Sequence, residues 1–224
     1  MATRAETKRK IRDSRVTGTR NLVQALSKLP TRPAALICSS AIGYYGSRGD
    51  EVLTEDSAPG TGYLPEICVA WEKEAMVAAA LGMRVVPVRT GIVLDPRGGA
   101  LQKMLTPFRM GVGGKIGSGR QWMSWIHLED LAGIFRMALQ QPLSGPVNGV
   151  SPNPVENAEF TRALAGAVKR PAIFPVPAFG LKLLFGEMSS ILLGSQRVQP
   201  QKAMSAGFQF RFPQLAAALA DLLK

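Results

Sequence analysis

Two short apolar runs, Ala34-Ala-Leu-Ile-Cys38 and Arg84-Val-Val-Pro-Val-Arg-Thr-Gly-Ile-Val-Leu94, each follow a helix-periodic segment, and that order leaves few architectures open. From Ala5 to Leu29 the apolar positions Ile11, Val16, Leu22, Val23, Ala25 and Leu26 stand among charges, as in an amphipathic helix, and Pro30 closes it. Leu64 to Leu81 returns to helical spacing and ends at Gly82, a suitable C-cap. The two apolar runs read as strands buried on both faces, with Pro87 the residue least at home in them. Helix, strand, helix, strand with short connections predicts crossover units and a parallel sheet in an α/β fold.

Between these elements lie a small-residue turn, Ser39-Ser-Ala-Ile-Gly-Tyr-Tyr-Gly46, and a Gly-, Pro- and acid-rich stretch from Ser47 to Gly62 that reads as a surface loop. Farther on, the spacing predicts a short helix over Leu101–Met110, a glycine-rich loop over Gly111–Gly119, and an extended segment over Trp122–Ile126. A helix follows over Leu128–Gln140, opened by Glu129 and Asp130, then a short strand Val147–Val150. Ala158–Val168 reads as a helix, Pro171–Pro177 as extended and Pro213–Leu223 as a closing helix.

Hydrophobic residues make up 46% of the 224 and charged residues 19%, which suits a packed core rather than a disordered chain. No apolar run reaches the roughly 18 residues needed to span a bilayer. The nearest, Phe174 to Leu193, is interrupted by Pro175, Pro177, Lys182 and Glu187, and reads as a buried or interfacial helix. The N-terminus has charge but no apolar core, so it is no secretory signal. Cys38 and Cys68 lie far apart in apolar settings, which predicts a reducing, cytoplasmic compartment; with His127 the lone histidine, no metal site is expected. The net charge of +11 raises polyanions as partners. Outside an N-terminal cluster (Lys8, Arg9, Lys10, Arg12, Arg15) the cations are dispersed along the sequence, and neither a nucleic-acid nor a membrane partner is expected.

Several ordered motifs resemble the extended short-chain dehydrogenases/reductases, in their NAD-dependent epimerase/dehydratase branch. Ser39–Gly46 resembles the segment after a central strand, Arg84–Leu94 the next strand, and Gly117-Ser-Gly-Arg-Gln-Trp-Met-Ser-Trp-Ile-His-Leu-Glu-Asp130 the segment that crosses the substrate cleft. Ile11-Arg-Asp-Ser-Arg15, Cys68-x-x-Trp71-Glu72 and the tail from Asn157 to Leu223 narrow the likeness to a subfamily with its own C-terminal domain of unassigned function. The resemblance implies the distal part of a Rossmann-type doubly wound parallel sheet over residues 1–140. A smaller mixed α/β lobe on the substrate side would follow over 141–224.

In such folds a glycine-rich strand–turn–helix near the start holds the dinucleotide pyrophosphate, because glycines permit close approach and helix N–H groups favour the anion. No such motif precedes the first helix here. By the size of one crossover unit, on the order of 30 residues, at least two units are absent. The expectation is therefore a truncated chain whose strand Ala34–Cys38 has an open edge, inviting self-association.

The resemblance also implies a Tyr-x-x-x-Lys proton relay, assisted by a Ser or Thr, with NADP or NAD as hydride carrier in the complete protein. Aligned on Tyr45-Gly46, the hydroxyl position is Ala41, and the Tyr and Lys positions are Cys68 and Glu72. A carboxylate beside Cys68 raises its thiol pKa, the reverse of what a lysine does for a tyrosine. The catalytic candidates that remain are Glu72, Cys68 and Tyr45 (with Tyr44 as a second phenol), and the candidate cofactor surface is Ser39, Ser40, Ala41, Arg89, Thr90 and Gly91. An NAD(P)-dependent epimerase or oxidoreductase acting on an unknown small molecule, impaired here, and a non-catalytic cofactor-binding or interaction protein are both compatible with these residues. Met123, where many sugar-nucleotide enzymes place an arginine, speaks against a nucleotide sugar.

Overall fold

The computed structural model describes residues 4–177 and 193–224. Phe174–Leu193, expected as a buried or interfacial helix, falls largely outside the described residues. Helix α1 (Arg4–Ser27) leads into strand β1 (Ala35–Ala41), a tight helical turn over Ile42–Tyr45 and the short strand β2 (Val52–Leu53). Helix α2 (Tyr63–Met76) tightens into a 3₁₀ turn over Val77–Leu81 and ends at Gly82, whose φ of 83° supplies the left-handed cap that its sequence position suggests. The spacing predicts one strand over Arg84–Leu94, but two form: β3 (Arg84–Thr90) and β4 (Ile92–Leu94).

The central sheet is parallel, in the order β1–β3–β7, where β7 is Val147–Gly149. It has the α/β character expected of a Rossmann-type sheet, and its third strand comes from the segment assigned by sequence to the second lobe. Pro87 fits because β7 begins to pair with β3 only at Val88, so at Pro87 the ladder runs on one side alone. Among the described residues β1 has no partner on its outer side, and Ser39 on that strand is exposed.

Helix α3 (Gly99–Arg109) follows β4. Strands β5 (Trp122–Met123) and β6 (Trp125–His127) cross the end of the sheet before helix α4 (Leu128–Gln140). β4 pairs in parallel with β6, and β5 pairs antiparallel with β8 (Val155–Glu156), which opens helix α5 (Asn157–Val168). The stretch Ser47–Gly62 is not wholly a surface loop. β2 pairs in parallel with β9 (Arg197–Val198), and both Leu53 and Glu55 are buried.

Four apolar clusters hold this arrangement. Val86, Val88, Ile126, Ile134 and Val147 pack between the sheet and α4, while Val23, Ala75, Ala78 and Val85 pack α1 and α2 onto the opposite face. Leu94, Leu101, Trp125, Phe160 and Leu219 join β4, α3, α5 and the closing helix Leu215–Leu222. Ile42, Tyr45, Leu53, Val150 and Val198 fill the space beneath the turn after β1.

Candidate functional site

The register of the parallel sheet sets Ser40 on β1 opposite Arg89 on β3, and Arg89 opposite Asn148 on β7. Opposed residues of neighbouring strands share a face, so three polar side chains form one row near the carboxyl ends of the strands. Ligands bind beyond those ends in open sheets of this kind.

Helix α2 lowers Glu72 onto the row. Arg89 donates from Nε to Glu72 Oε1 and from its second terminal nitrogen to Oε2, each at 2.9 Å, a bidentate pair. Ser40 Oγ donates to Glu72 Oε1 at 2.6 Å. The other guanidinium nitrogen donates to the Tyr45 hydroxyl at 3.0 Å and to the Glu55 carbonyl at 3.2 Å, and the Tyr45 hydroxyl donates to Asn148 Oδ1 at 2.7 Å. Glu55 Oε1 accepts the Asn148 and Lys202 amides at 2.9 and 3.2 Å. The Tyr44 ring covers the guanidinium, its centroid 3.4 Å from Cζ. Ser40, Glu55, Glu72, Arg89, Tyr45 and Asn148 are all buried.

Low local polarity decides the titration of this region. Burial pushes the Tyr45 phenol up to about 12, against the opposing pull of the Arg89 charge and of the hydrogen bond that Arg89 donates to it. Burial likewise pushes Cys38 and Cys68 up to about 11, and the Glu72 charge adds to the rise in both. The effect on Cys68 has the sign that the carboxylate neighbour predicts. For Arg89, burial acts against the charge but is outweighed by the bonds to Glu72, so the group is more firmly cationic than usual.

The candidate residues thus divide. Ser40, Tyr45, Glu72 and Arg89 are gathered into one network in which each polar group faces another. Cys68 is buried on α2 beside the main chain of Ala41, so the positions where the resemblance implies a tyrosine and a Ser or Thr adjoin. Ala41 and Thr90 face each other at the strand ends; among the described residues the Thr90 hydroxyl bonds only its own strand, to the Val88 carbonyl at 3.3 Å. Ser39 is exposed on the open strand.

Gly91 is used by the fold, since a Cβ there would lie 2.5 Å from the Ser124 carbonyl and 2.7 Å from Val150 Cγ1. His127 and Asp130 pack the crossing segment. His127 Nδ1 accepts the Glu129 amide at the start of α4 and its ring stacks on Phe212, while Asp130 accepts the amides of Arg211 and Phe212. Glu55 and Asn148 were not foreseen from sequence. The signal for Asn148 is a polar residue inside a buried strand; Glu55, in an acidic loop, gives none.

Ala41 and Thr90 are small residues facing each other at the ends of adjoining strands, where open sheets of this kind receive their ligands. Neither the sequence nor the described residues contain a glycine-rich strand–turn–helix to receive a pyrophosphate. Among the described residues no cluster of three or more His, Cys, Asp or Glu is placed to hold a metal.

The raised thiol pKa values carry a prediction. At pH 8 both cysteines of the native protein should react with a disulfide reagent such as DTNB about 100-fold more slowly than in denaturant, since two pH units separate the thiolate fractions. The folded values lie above the unfolded ones, so their contribution to stability is complete below about pH 9 and is lost as pH rises toward 11. Equal labelling rates in buffer and denaturant would contradict the burial.

Residues 1–151 match the NAD dependent epimerase/dehydratase family, and residues 176–222 match a domain of unknown function, DUF1731. The chain is 45% identical over 215 residues to the epimerase family protein Mb2239 of Mycobacterium bovis, covering 95% of this chain and 70% of that one. It is 40% identical to the epimerase family protein YfhF of Bacillus subtilis over 97% of this chain and 72% of that one. The crystal structure of human epimerase family protein SDR39U1 with NADPH superimposes with a TM-score of 0.93 at 36% identity, over 97% of this chain and 74% of that one. No helix among the described residues is long and apolar enough to cross a membrane. The chain therefore belongs to the NAD-dependent epimerase/dehydratase family and carries a DUF1731 segment at its C-terminal end.

Proposed function

We propose that this chain forms the nicotinamide- and substrate-side part of a cytoplasmic NADP(H)-binding protein, one that keeps the family framework without its proton relay. The observation that carries the reading is the buried row: Ser40, Glu72, Arg89 and Tyr45 are committed to one another, while Ala41 and Cys68 adjoin where a relay would stand. A phenol whose pKa is pushed up to about 12, and whose hydroxyl hydrogen is bonded to Asn148 Oδ1, is a poor general base at neutral pH. Glu72, with both oxygens held by Arg89, serves better as an anchor than as an acid or base. NADP(H) is favoured over NAD(H) because the similar human protein was crystallised with NADPH.

In this reading the cofactor, when bound, supplies or accepts hydride, and the residues of this chain orient its nicotinamide end through the strand ends at Ala41 and Thr90. Tight binding requires a pyrophosphate loop that this sequence does not contain. The open outer edge of β1 supports self-association between copies of the chain.

Calorimetric titration with NADPH and NADH tests the proposal on this chain and on a longer one with a glycine-rich strand–turn–helix placed before Met1. The expected result is binding by the longer chain, at least 10-fold weaker for NADH, and none measurable for this chain alone. Failure of both to bind would remove the cofactor reading. Tight binding by this chain alone would show that the loop is dispensable.

A further inference from the structure

The cations look dispersed along the sequence, but the fold collects many of them. Between Asp95 and Glu129 the chain carries Arg97, Lys103, Arg109, Lys115 and Arg120 and no acid; between Glu159 and Glu187 it carries Arg162, Lys169, Arg170 and Lys182 and no acid. These two stretches meet. Arg170 Nε donates to the Arg109 carbonyl, the Val176 amide donates to the Lys115 carbonyl, and Ile116 and Val176 form a parallel bridge. The backbone at Gly114 approaches Phe174 so closely that no side chain fits there.

The meeting brings together four of the largest exposed apolar side chains. Met110 and Ile173 are each 71% exposed, Phe174 56% and Val112 51%. Lys103, Arg109, Lys115, Arg120, Arg162, Lys169 and Arg170 on the same two stretches are exposed as well. Acids border the two stretches: Asp95 before α3 is paired with Arg97, and Glu156 and Glu159 at the start of α5 adjoin Ile116 and Gly119, at the opposite end of α5 from Lys169 and Arg170.

We infer that this face docks on an anionic membrane surface, with Met110, Val112, Ile173 and Phe174 entering the headgroup boundary and the surrounding cations meeting the lipid charges. Exposed apolar side chains ringed by cations have the chemistry of an interfacial anchor. A different role for Arg109 and Lys169, offsetting helix C-terminal dipoles, needs one charge per terminus and gives no reason for exposed Ile173 and Phe174. A nucleic-acid partner would be served by the cations but not by Met110, Val112 and Ile173, which cannot stack on bases. The sequence alone predicts no membrane partner because it shows neither the packing of the two stretches nor the exposure of these side chains.

The test is co-sedimentation of the full chain with vesicles of phosphatidylcholine containing 30% phosphatidylserine, against vesicles of phosphatidylcholine alone. Binding should require the anionic lipid and weaken as NaCl rises. Arg109→Glu and Arg170→Glu should each weaken it at least about fivefold, the equivalent of roughly 1 kcal/mol for one juxtamembrane cation. Ile173→Glu with Phe174→Glu should weaken it at least 10-fold, while far-ultraviolet dichroism stays unchanged because both positions are exposed. No binding to the anionic vesicles would overturn the inference. So would binding that survives Ile173→Glu with Phe174→Glu, since charge alone would then account for it. RNA binding that persists in this double variant, together with no vesicle binding, would assign the face to a polyanion instead.

Discussion

Arg89→Ala should destabilise the protein by about 3–5 kcal/mol, because removing one member of a buried ion pair leaves the other charged and unpaired in a poorly polar interior. The loss goes beyond the carboxylate. The same side chain donates to the Tyr45 hydroxyl and the Glu55 carbonyl, and its guanidinium lies 3.4 Å from the Tyr44 ring centroid. Each acceptor left without a donor in a buried place adds its own desolvation cost. Urea denaturation should therefore show a large fall in midpoint, with the α/β fold retained at low denaturant.

Replacing both partners together, as in Arg89→Met with Glu72→Met, should cost clearly less than Arg89→Ala alone, because no unpaired charge remains. That comparison separates a buried anchor from a catalytic carboxylate. If Glu72 were held in the cleft as an acid or base, Arg89→Ala would cost little stability, and a measured loss below about 1 kcal/mol would count against the network described here. The double variant also bears on function. If the row only positions the strand ends, the longer chain with a pyrophosphate loop should keep its NADPH affinity within a few-fold in the methionine pair.

The helices and the two main strands were legible because each is long enough to show a period: α1, α2, α4 and α5 at helical spacing, β1 and β3 as apolar runs. Val52–Leu53, Val155–Glu156 and Arg197–Val198 were not, since two residues have no period and each strand exists only through a partner remote in sequence. The site shows the same limit. Ser40, Tyr45, Glu72 and Arg89 each stood out for chemical reasons, yet only the register of β1 on β3 and β3 on β7 sets Ser40, Arg89 and Asn148 side by side. Glu55 stayed hidden because its neighbours Thr54 and Asp56 read as loop, whereas the pairing of Val52–Leu53 with Arg197–Val198 draws it inside.

The second large effect is expected at Gly91, where the single strand read from sequence becomes two. Up to Thr90 the chain pairs within the central sheet; from Ile92 it pairs with Trp125–His127. The change of partner happens across one residue, whose amide donates to the Gly149 carbonyl while the Ile92 amide donates to the Ser124 carbonyl at 2.8 Å. The crossing segment therefore lies against the Gly91 backbone, and a Cβ would stand 2.5 Å from a carbonyl oxygen that is itself bound in a ladder. A flexible side chain can yield to such a clash, but backbone held on both sides cannot yield cheaply. Gly91→Ala should cost about 3 kcal/mol, at the upper end for overpacking. Gly91→Val should leave little folded protein at 37 °C. Near-native denaturation midpoints for both variants would mean that the crossing segment stands farther from the strand ends than the geometry gives. Gly91 would then be released from its packing role and become available to a bound nicotinamide.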